Sequence, residues 1–361
     1  MNLIKYFFYS FISALLFLFI IDFLLGINYK FIDSKARDLS LESSITHPNA
    51  DLETINFTRE LVNYRDYKYK SFIGWKGPVL NGEYIKTDKQ GRRFTLQSAN
   101  NFSEHTIHLF GGSTMWGYGV SDSNTIPSIL SSKFNFPAIN YGEQAYNSRQ
   151  ELNLLIENLD SIKPGDFVVF YDGVNDVFHN CKSINSVNGH AREYYFKSIL
   201  ETDFEDVSLY MKAIYESNLF RLVNSLLGQD VSNTSNEVIY SSNVCGDLNI
   251  AAQVSNFLVN SWQVMSLIVK DKGATPLCIL QPNPYTLKSD PFAQYPPYRD
   301  QINTLYPLVR SQADRLDCFL DYSEKLEHDF YTDSCCHLNR EGNAQIAEEL
   351  SIDLRNMLMS K

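Results

Sequence analysis

The stretch His105-Thr-Ile-His-Leu-Phe-Gly-Gly-Ser-Thr-Met-Trp-Gly117 decides how this chain is read. Ile107, Leu109 and Phe110 predict a short buried strand, and Gly111 and Gly112 end it, because glycine accepts the sharp backbone geometry of a strand-to-helix turn. Ser113 then has its hydroxyl at the C-terminal edge of a sheet, beside the free N–H groups of the following turn. An α/β enzyme holds a nucleophile at such a place. Gly-Gly-Ser-Thr by itself equally suits an ordinary turn and helix cap. Whether Ser113 is reactive depends on the partners that the rest of the chain brings to it.

Outward from this turn, strand and helix signals alternate. Thr125 to Phe134 predicts a helix with Pro127 tolerated in its first turn, and Phe136 to Tyr141 a second strand. Arg149 to Asp160 predicts a helix, since Leu152, Leu155, Ile156 and Leu159 share one face. The fully apolar run from Phe167 to Tyr171, closed by Gly173, has the pattern of a central parallel strand. Regularity returns with a helix from about Ile250 to Lys272 and a strand over Leu277 to Leu280. A helix over 301–314, a strand over Cys318 to Asp321 and a C-terminal helix from Gly342 to Met357 follow. This alternation predicts a three-layer α/β/α sandwich with a mostly parallel sheet over residues 101–361. Residues 180–248 lose the rhythm and read as an insertion covering one face, with short helical pieces such as Leu219 to Leu227.

Residues 1–28 read as a membrane anchor. Residues 6–26 carry one charge, Asp22, and are long enough to cross a bilayer as a helix; no small-residue cleavage signature follows, so the segment is expected to be retained. Lys30, Lys35 and Arg37 follow it while only Lys5 and the amino terminus precede it, a balance that does not favour an external C-terminal domain, although large domains cross largely regardless of such biases. Residues 29–100 read as a linker, polar from Ser40 to Asp51, followed by two short strands over Gly82 to Thr95. A net charge of −11 without any basic run argues against nucleic acid as a partner. The six cysteines form no CxxC pair and show no metal spacing with histidines, so a zinc site is not expected. Cys278 and Cys318 lie in apolar strand-like runs as buried thiols, whereas Cys181 and Cys245 flank a polar region and are the better disulfide candidates. The 22 Tyr and 24 Phe fit a large core, with Trp116 and Tyr146 as candidates for stacking on substrate.

In a parallel sheet the loops after the strands converge, so each strand is judged by the residues its C-terminal end delivers. The first delivers Gly112-Ser113, the second Asn140-Tyr-Gly-Glu-Gln-Ala-Tyr-Asn-Ser148, the third Gly173-Val-Asn-Asp176, and the last Asp333-Ser-Cys-Cys-His-Leu-Asn-Arg-Glu-Gly342. A serine, an imidazole with a carboxylate close in sequence, and amide donors such as the Asn175 side chain make up a serine hydrolase site. Asp176 braces the turn beside Asn175, and Asp176-x-x-His179 offers a rival acid–base pair.

These four blocks, over roughly residues 105–355, resemble the SGNH (GDSL-type) hydrolases in order and separation. The resemblance implies Ser113 as nucleophile and first oxyanion donor, Ala145 N–H as the second donor, with Gly142 as the alternative, and Asn175 as the third. It implies His337 as general base, Asp333 as its orienting carboxylate, and Gly112 and Gly173 in support. Two departures stand out: Ala145 where the family has glycine, and an Asp-to-His interval one residue longer than the family's Asp-x-x-His. The activity implied is hydrolysis of an acyl ester, acetyl in the first instance, through an acyl-enzyme, a mechanism that needs no metal or organic cofactor. The envisaged substrate is an envelope or cell-surface saccharide, reached by a domain held outside the cytoplasm. The alternatives are an O-acyltransferase to a saccharide hydroxyl, a lipid esterase or lysophospholipase, and an inactive scaffold.

Overall fold

The computed structural model describes residues 49–62, 67–99, 104–193, 243–287 and 296–359, together with 5–28 apart from 7, 8, 11 and 15, and with 217–219 and 222. The chain divides into two compact units, residues 1–42 with 195–241, and residues 43–194 with 242–361.

In the first unit the described residues between 5 and 28 are helical, and Phe17, Phe19 and Phe23 are all more than 60 % exposed. Asp22 accepts hydrogen bonds from the Leu219 backbone N–H at 2.8 Å and from the Asn218 amide at 3.3 Å. Among the described residues no helix is long and apolar enough to cross a membrane. The span expected over 6–26 includes residues 7, 8, 11 and 15, which lie outside the described ones, as do most of 219–227.

The second unit begins with α1 (Leu52–Val62), whose first turn is capped by the Asp51 carboxylate accepting the Thr54 N–H at 2.8 Å. A hairpin of β1 (Lys68–Lys70) and β2 (Gly74–Lys76) follows. The described part of residues 43–99 belongs to this unit and is not a linker, because Phe57 and Leu61 of α1 bury with Leu80 and Ile85 against Trp116. Arg93 reinforces the contact. Its buried guanidinium pairs with Asp122 at 2.6 Å, donates to the carbonyls of Tyr84, Gly117 and Val120, and lies over the Trp116 ring. Two strands are not formed over Gly82 to Thr95, where single bridges, Asn81 to Lys86 and Thr87 to Arg93, take their place.

The α/β body then runs β3 (Ile107–Gly111), α2 (Ser113–Trp116), α3 (Ile126–Phe134), β4 (Ala138–Asn140), α4 (Ser148–Glu157), β5 (Phe167–Asp172) and α5 (Val174–Asn180). It continues with α6 (Leu248–Asp271), β6 (Thr275–Leu280), α7 (Pro296–Ala313), β7 (Phe319–Asp321) and α8 (Arg340–Met359). The five strands pair in parallel in the order β4-β3-β5-β6-β7. Because side chains alternate along a strand, the sheet feeds two cores. Phe110, Val168, Phe170, Cys278 and Leu280 pack with residues of α4 to α7 such as Leu155, Val177, Trp262 and Leu305. Leu109, Val169, Tyr171, Leu277 and Ile279 pack on the other face with Leu130 of α3 and Ile346, Leu350 and Leu354 of α8. The α/β/α sandwich expected from the alternating pattern is thereby formed. Cys181 and Cys245 are joined in a disulfide, whereas Cys278 and Cys318 are buried free thiols.

Candidate active site

The sheet is parallel, so the ends of β3, β4 and β5 open on the same edge, and the site is assembled there. β3 ends in Gly111 and the chain turns at Gly112 into α2, leaving Ser113 at the first helical position. First-turn N–H groups have no intrahelical acceptor, so the Ser113 N–H faces outward as a donor. Gly112 is required at this turn: a Cβ there would lie 2.1 Å from the Asn175 amide nitrogen. Asn175 stands in the first turn of α5 and donates one amide N–H to the Tyr146 carbonyl at 2.8 Å, which holds the side chain against Gly112. An amide carries two N–H donors, and the second remains for a ligand.

His337 Nε2 lies 2.7 Å from Ser113 Oγ, and its Nδ1 is hydrogen-bonded to Asp333 Oδ2. The extra residue between Asp333 and His337 is absorbed by a turn wound around the carboxylate. Asp333 Oδ1 accepts the N–H groups of Cys335, Cys336 and His337 at 2.9, 3.1 and 3.3 Å, while Oδ2 remains directed at the ring. The Tyr285 hydroxyl donates to the Ser334 carbonyl, and Thr332 N–H bonds the His337 carbonyl at 2.9 Å, closing the loop. Tyr118 stacks on the His337 ring with centroids 4.2 Å apart.

Ala145 takes φ 61°, a left-handed conformation that costs a non-glycine residue roughly 1–2 kcal/mol. Among the described residues its N–H donates to no acceptor. Gly142 is the poorer donor, because its N–H is already spent on the Asn140 side chain at 2.8 Å. The smallness of Gly142 serves packing, since a Cβ would meet the Trp116 nitrogen at 2.4 Å. The rival pair at Asp176 and His179 is not assembled. Asp176 accepts the Ser148 hydroxyl at 2.6 Å, and His179 packs against the His190 ring. Burial, and then the neighbouring Asp172, push the Asp176 carboxyl up to about 8. Trp116 is occupied with the α1 contact and Tyr146 with Trp75, so both contribute to the core and not to an open stacking surface.

Two supports of the Ala145 loop leave no signal in sequence spacing. Trp75 of β2 donates its indole N–H to the Gln144 carbonyl at 3.0 Å, and its own carbonyl accepts the Tyr146 hydroxyl at 2.5 Å. His190 binds the Ala145 carbonyl through Nε2 at 3.0 Å, while its Nδ1 accepts the Arg192 N–H at 3.0 Å. With Nδ1 accepting, Nε2 carries the proton and the ring is neutral. Burial and the nearby Arg192 push its pKa down to about 3, so it stays neutral across the working range. His190→Ala is expected to lower kcat about tenfold with KM little changed, because a buried hydrogen bond fixing the loop is lost. His190→Gln, which can donate to the same carbonyl, is expected to recover most of the loss in steady-state assays.

Burial by itself would lower the pKa of His337; the Asp333 charge and hydrogen bond outweigh it and raise the value to about 9. For Asp333 burial works upward, and the His337 charge together with the N–H bonds brings the carboxyl below its ordinary value. An imidazole can take a proton only when neutral, and here the charged imidazolium is the favoured form. The kcat/KM of an ester substrate is therefore expected to rise about tenfold per pH unit below the His337 pKa and to level off near pH 9. A profile flat from pH 6 upward would contradict this assignment. In Asp333→Asn the profile is expected to move toward acid while the maximum rate falls.

No known protein-family profile matches the chain, and no curated protein matches it. Solved structures similar to it include a carbohydrate acetylesterase family member from Sinorhizobium meliloti, at 20 % identity over 70 % of this chain and 99 % of that one, with a TM-score of 0.38. The aryl esterase of M. smegmatis is 15 % identical over 70 % of this chain and 99 % of its own, with a TM-score of 0.39. A member of the lipolytic G-D-S-L family from Veillonella parvula DSM 2008 is 14 % identical over 68 % and 95 %, with a TM-score of 0.37.

Proposed function

We propose that this protein is a serine ester hydrolase of the SGNH type. His337 takes the proton of Ser113 as the hydroxyl oxygen attacks the ester carbonyl, and Asp333 holds the ring in the tautomer that accepts at Nε2. The N–H groups of Ser113 and Ala145 and the free amide hydrogen of Asn175 receive the oxyanion. His337 then returns the proton to the leaving alcohol, and the same base activates the water that releases the acid from the acyl-enzyme. The observation that carries this reading is the continuous chain from Asp333 through His337 to Ser113, with a 2.7 Å contact at the serine. The substrate is an acyl ester, acetyl in the first instance, on an envelope or cell-surface saccharide. The domain works outside the cytoplasm, held to the membrane through residues 6–26. The Cys181–Cys245 disulfide favours an oxidising compartment, and the exposed apolar side chains of the N-terminal helical residues favour insertion into lipid.

The test is labelling with a fluorophosphonate probe, followed by assay on nitrophenyl acetate and on acetylated saccharides. The full chain is expected to label and Ser113→Ala is not; a folded chain that never labels would overturn the proposal.

A further inference from the structure

The turn that presents His337 also carries two thiols. Cys335 and Cys336 place their sulfurs 3.1 Å apart, and these two atoms and a ring nitrogen of His337 all lie within 4.8 Å of one another. Such a set can close on one tetrahedral thiophilic cation: Zn–S bonds near 2.3 Å put two sulfur ligands about 3.8 Å apart, so the thiols need separate by less than an ångström. The turn is already held by the three N–H bonds to Asp333 and by the Tyr285 hydroxyl on Ser334, which reduces the ordering cost of binding. Cys335 is partly exposed and offers an entry path, whereas the other two free thiols, Cys278 and Cys318, are buried in the sheet core. The usual sequence signals of a metal site are absent, because the ligands are three consecutive residues brought together by a turn.

We propose that Cys335, Cys336 and His337 form an inhibitory site for a thiophilic divalent cation of the Zn2+ class. Binding forms two metal–thiolate bonds and one metal–imidazole bond; the two thiol protons, and one ring proton where His337 is an imidazolium, pass to solvent. Both nitrogens of His337 are already engaged, one by Asp333 and the other by Ser113. The cation therefore displaces one of these partners: at Nε2 it takes the place of the serine, and at Nδ1 it leaves the ring proton on Nε2, so in either case the imidazole cannot take the serine proton. The inhibitory consequence rests on the ester hydrolase reading; the binding does not.

The test is titration of the full chain, stripped of metal by a chelator and with its thiols reduced, with Cd2+ as a spectroscopic stand-in. Thiolate-to-metal charge-transfer absorbance and ester hydrolysis are followed together. One equivalent is expected to develop the absorbance and abolish activity, and chelator is expected to restore it. Cys335→Ser with Cys336→Ser is expected to lose the absorbance, and its inhibition, measured against its own metal-free rate, to need at least about tenfold more cation. His337→Ala is expected to bind more weakly by the same absorbance, a readout that stands even if no ester is ever turned over. The proposal fails if the wild type gives no such band, if the band survives in the double serine variant, or if an active wild type stays active with the site filled.

Discussion

Replacing Ser113 with alanine is expected to reduce ester turnover by roughly a millionfold, down to the residual rate that binding and oxyanion donors provide. The expectation rests on the Ser113 hydroxyl standing 2.7 Å from His337 Nε2, which is placed to remove its proton. His337→Ala should cost nearly as much, and the double variant should be scarcely worse than either single one, because the two side chains act as a unit. The fold should tolerate both changes. Ser113 sits in a short helix beside the turn and His337 in the loop before α8, and neither belongs to the two sheet cores. Circular dichroism that matches the wild type, with turnover lost, would be the expected pair of results. A Ser113→Ala variant retaining more than about a hundredth of the activity would place the nucleophile elsewhere.

Asn175→Ala is expected to lower kcat by about a hundredfold to a thousandfold with a much smaller change in KM, the signature of a donor used mainly in the transition state. The Asn175 amide is suited to that role because one N–H is spent on the Tyr146 carbonyl while Gly112 leaves room for the other beside Ser113. The same bond makes Asn175 a support for the Ala145 loop, so part of the loss comes through the second donor. Asn175→Asp is the sharper control: it keeps the size of the side chain, removes both donors and adds a negative charge where the oxyanion forms. It should be at least as damaging as alanine. Equal activity in all three proteins, measured on an activated acetyl ester, would remove Asn175 from the oxyanion site.

Much of the architecture is legible because it is written locally. Apolar runs of strand length at 107–110 and 167–171, amphipathic spacing at Leu152 and Leu155, and glycines at 112 and 173 need only near neighbours to be read, and they define the parallel strands and the loops after them. Residues 29–100 read in sequence as a linker followed by two short strands, because the apolar residues of α1 (Leu52–Val62) are interspersed with polar ones and β1 and β2 are only three residues each. Phe57, Leu61, Ile85 and Arg93 gain their structural meaning only from the far surface of Trp116 and Asp122.

By itself, then, the sequence determined the alternating α/β order, the serine at a strand end, the amide donor after the central strand and the His337 loop as the candidates for one site. The tertiary structure decided which of them meet: His337 is 224 residues from Ser113, and only the convergence of parallel strand ends brings them into contact. It leaves the Ala145 N–H without an acceptor among the described residues while the Gly142 N–H is spent on Asn140, and it sets Asp333 against His337 while Asp176 is engaged by Ser148. Hydrogen-bond commitment is a property of the assembled loops, and no interval in the chain encodes it. The same turn that absorbed the extra residue after Asp333 set two thiols beside the base, a juxtaposition that arises from winding the backbone around one carboxylate oxygen.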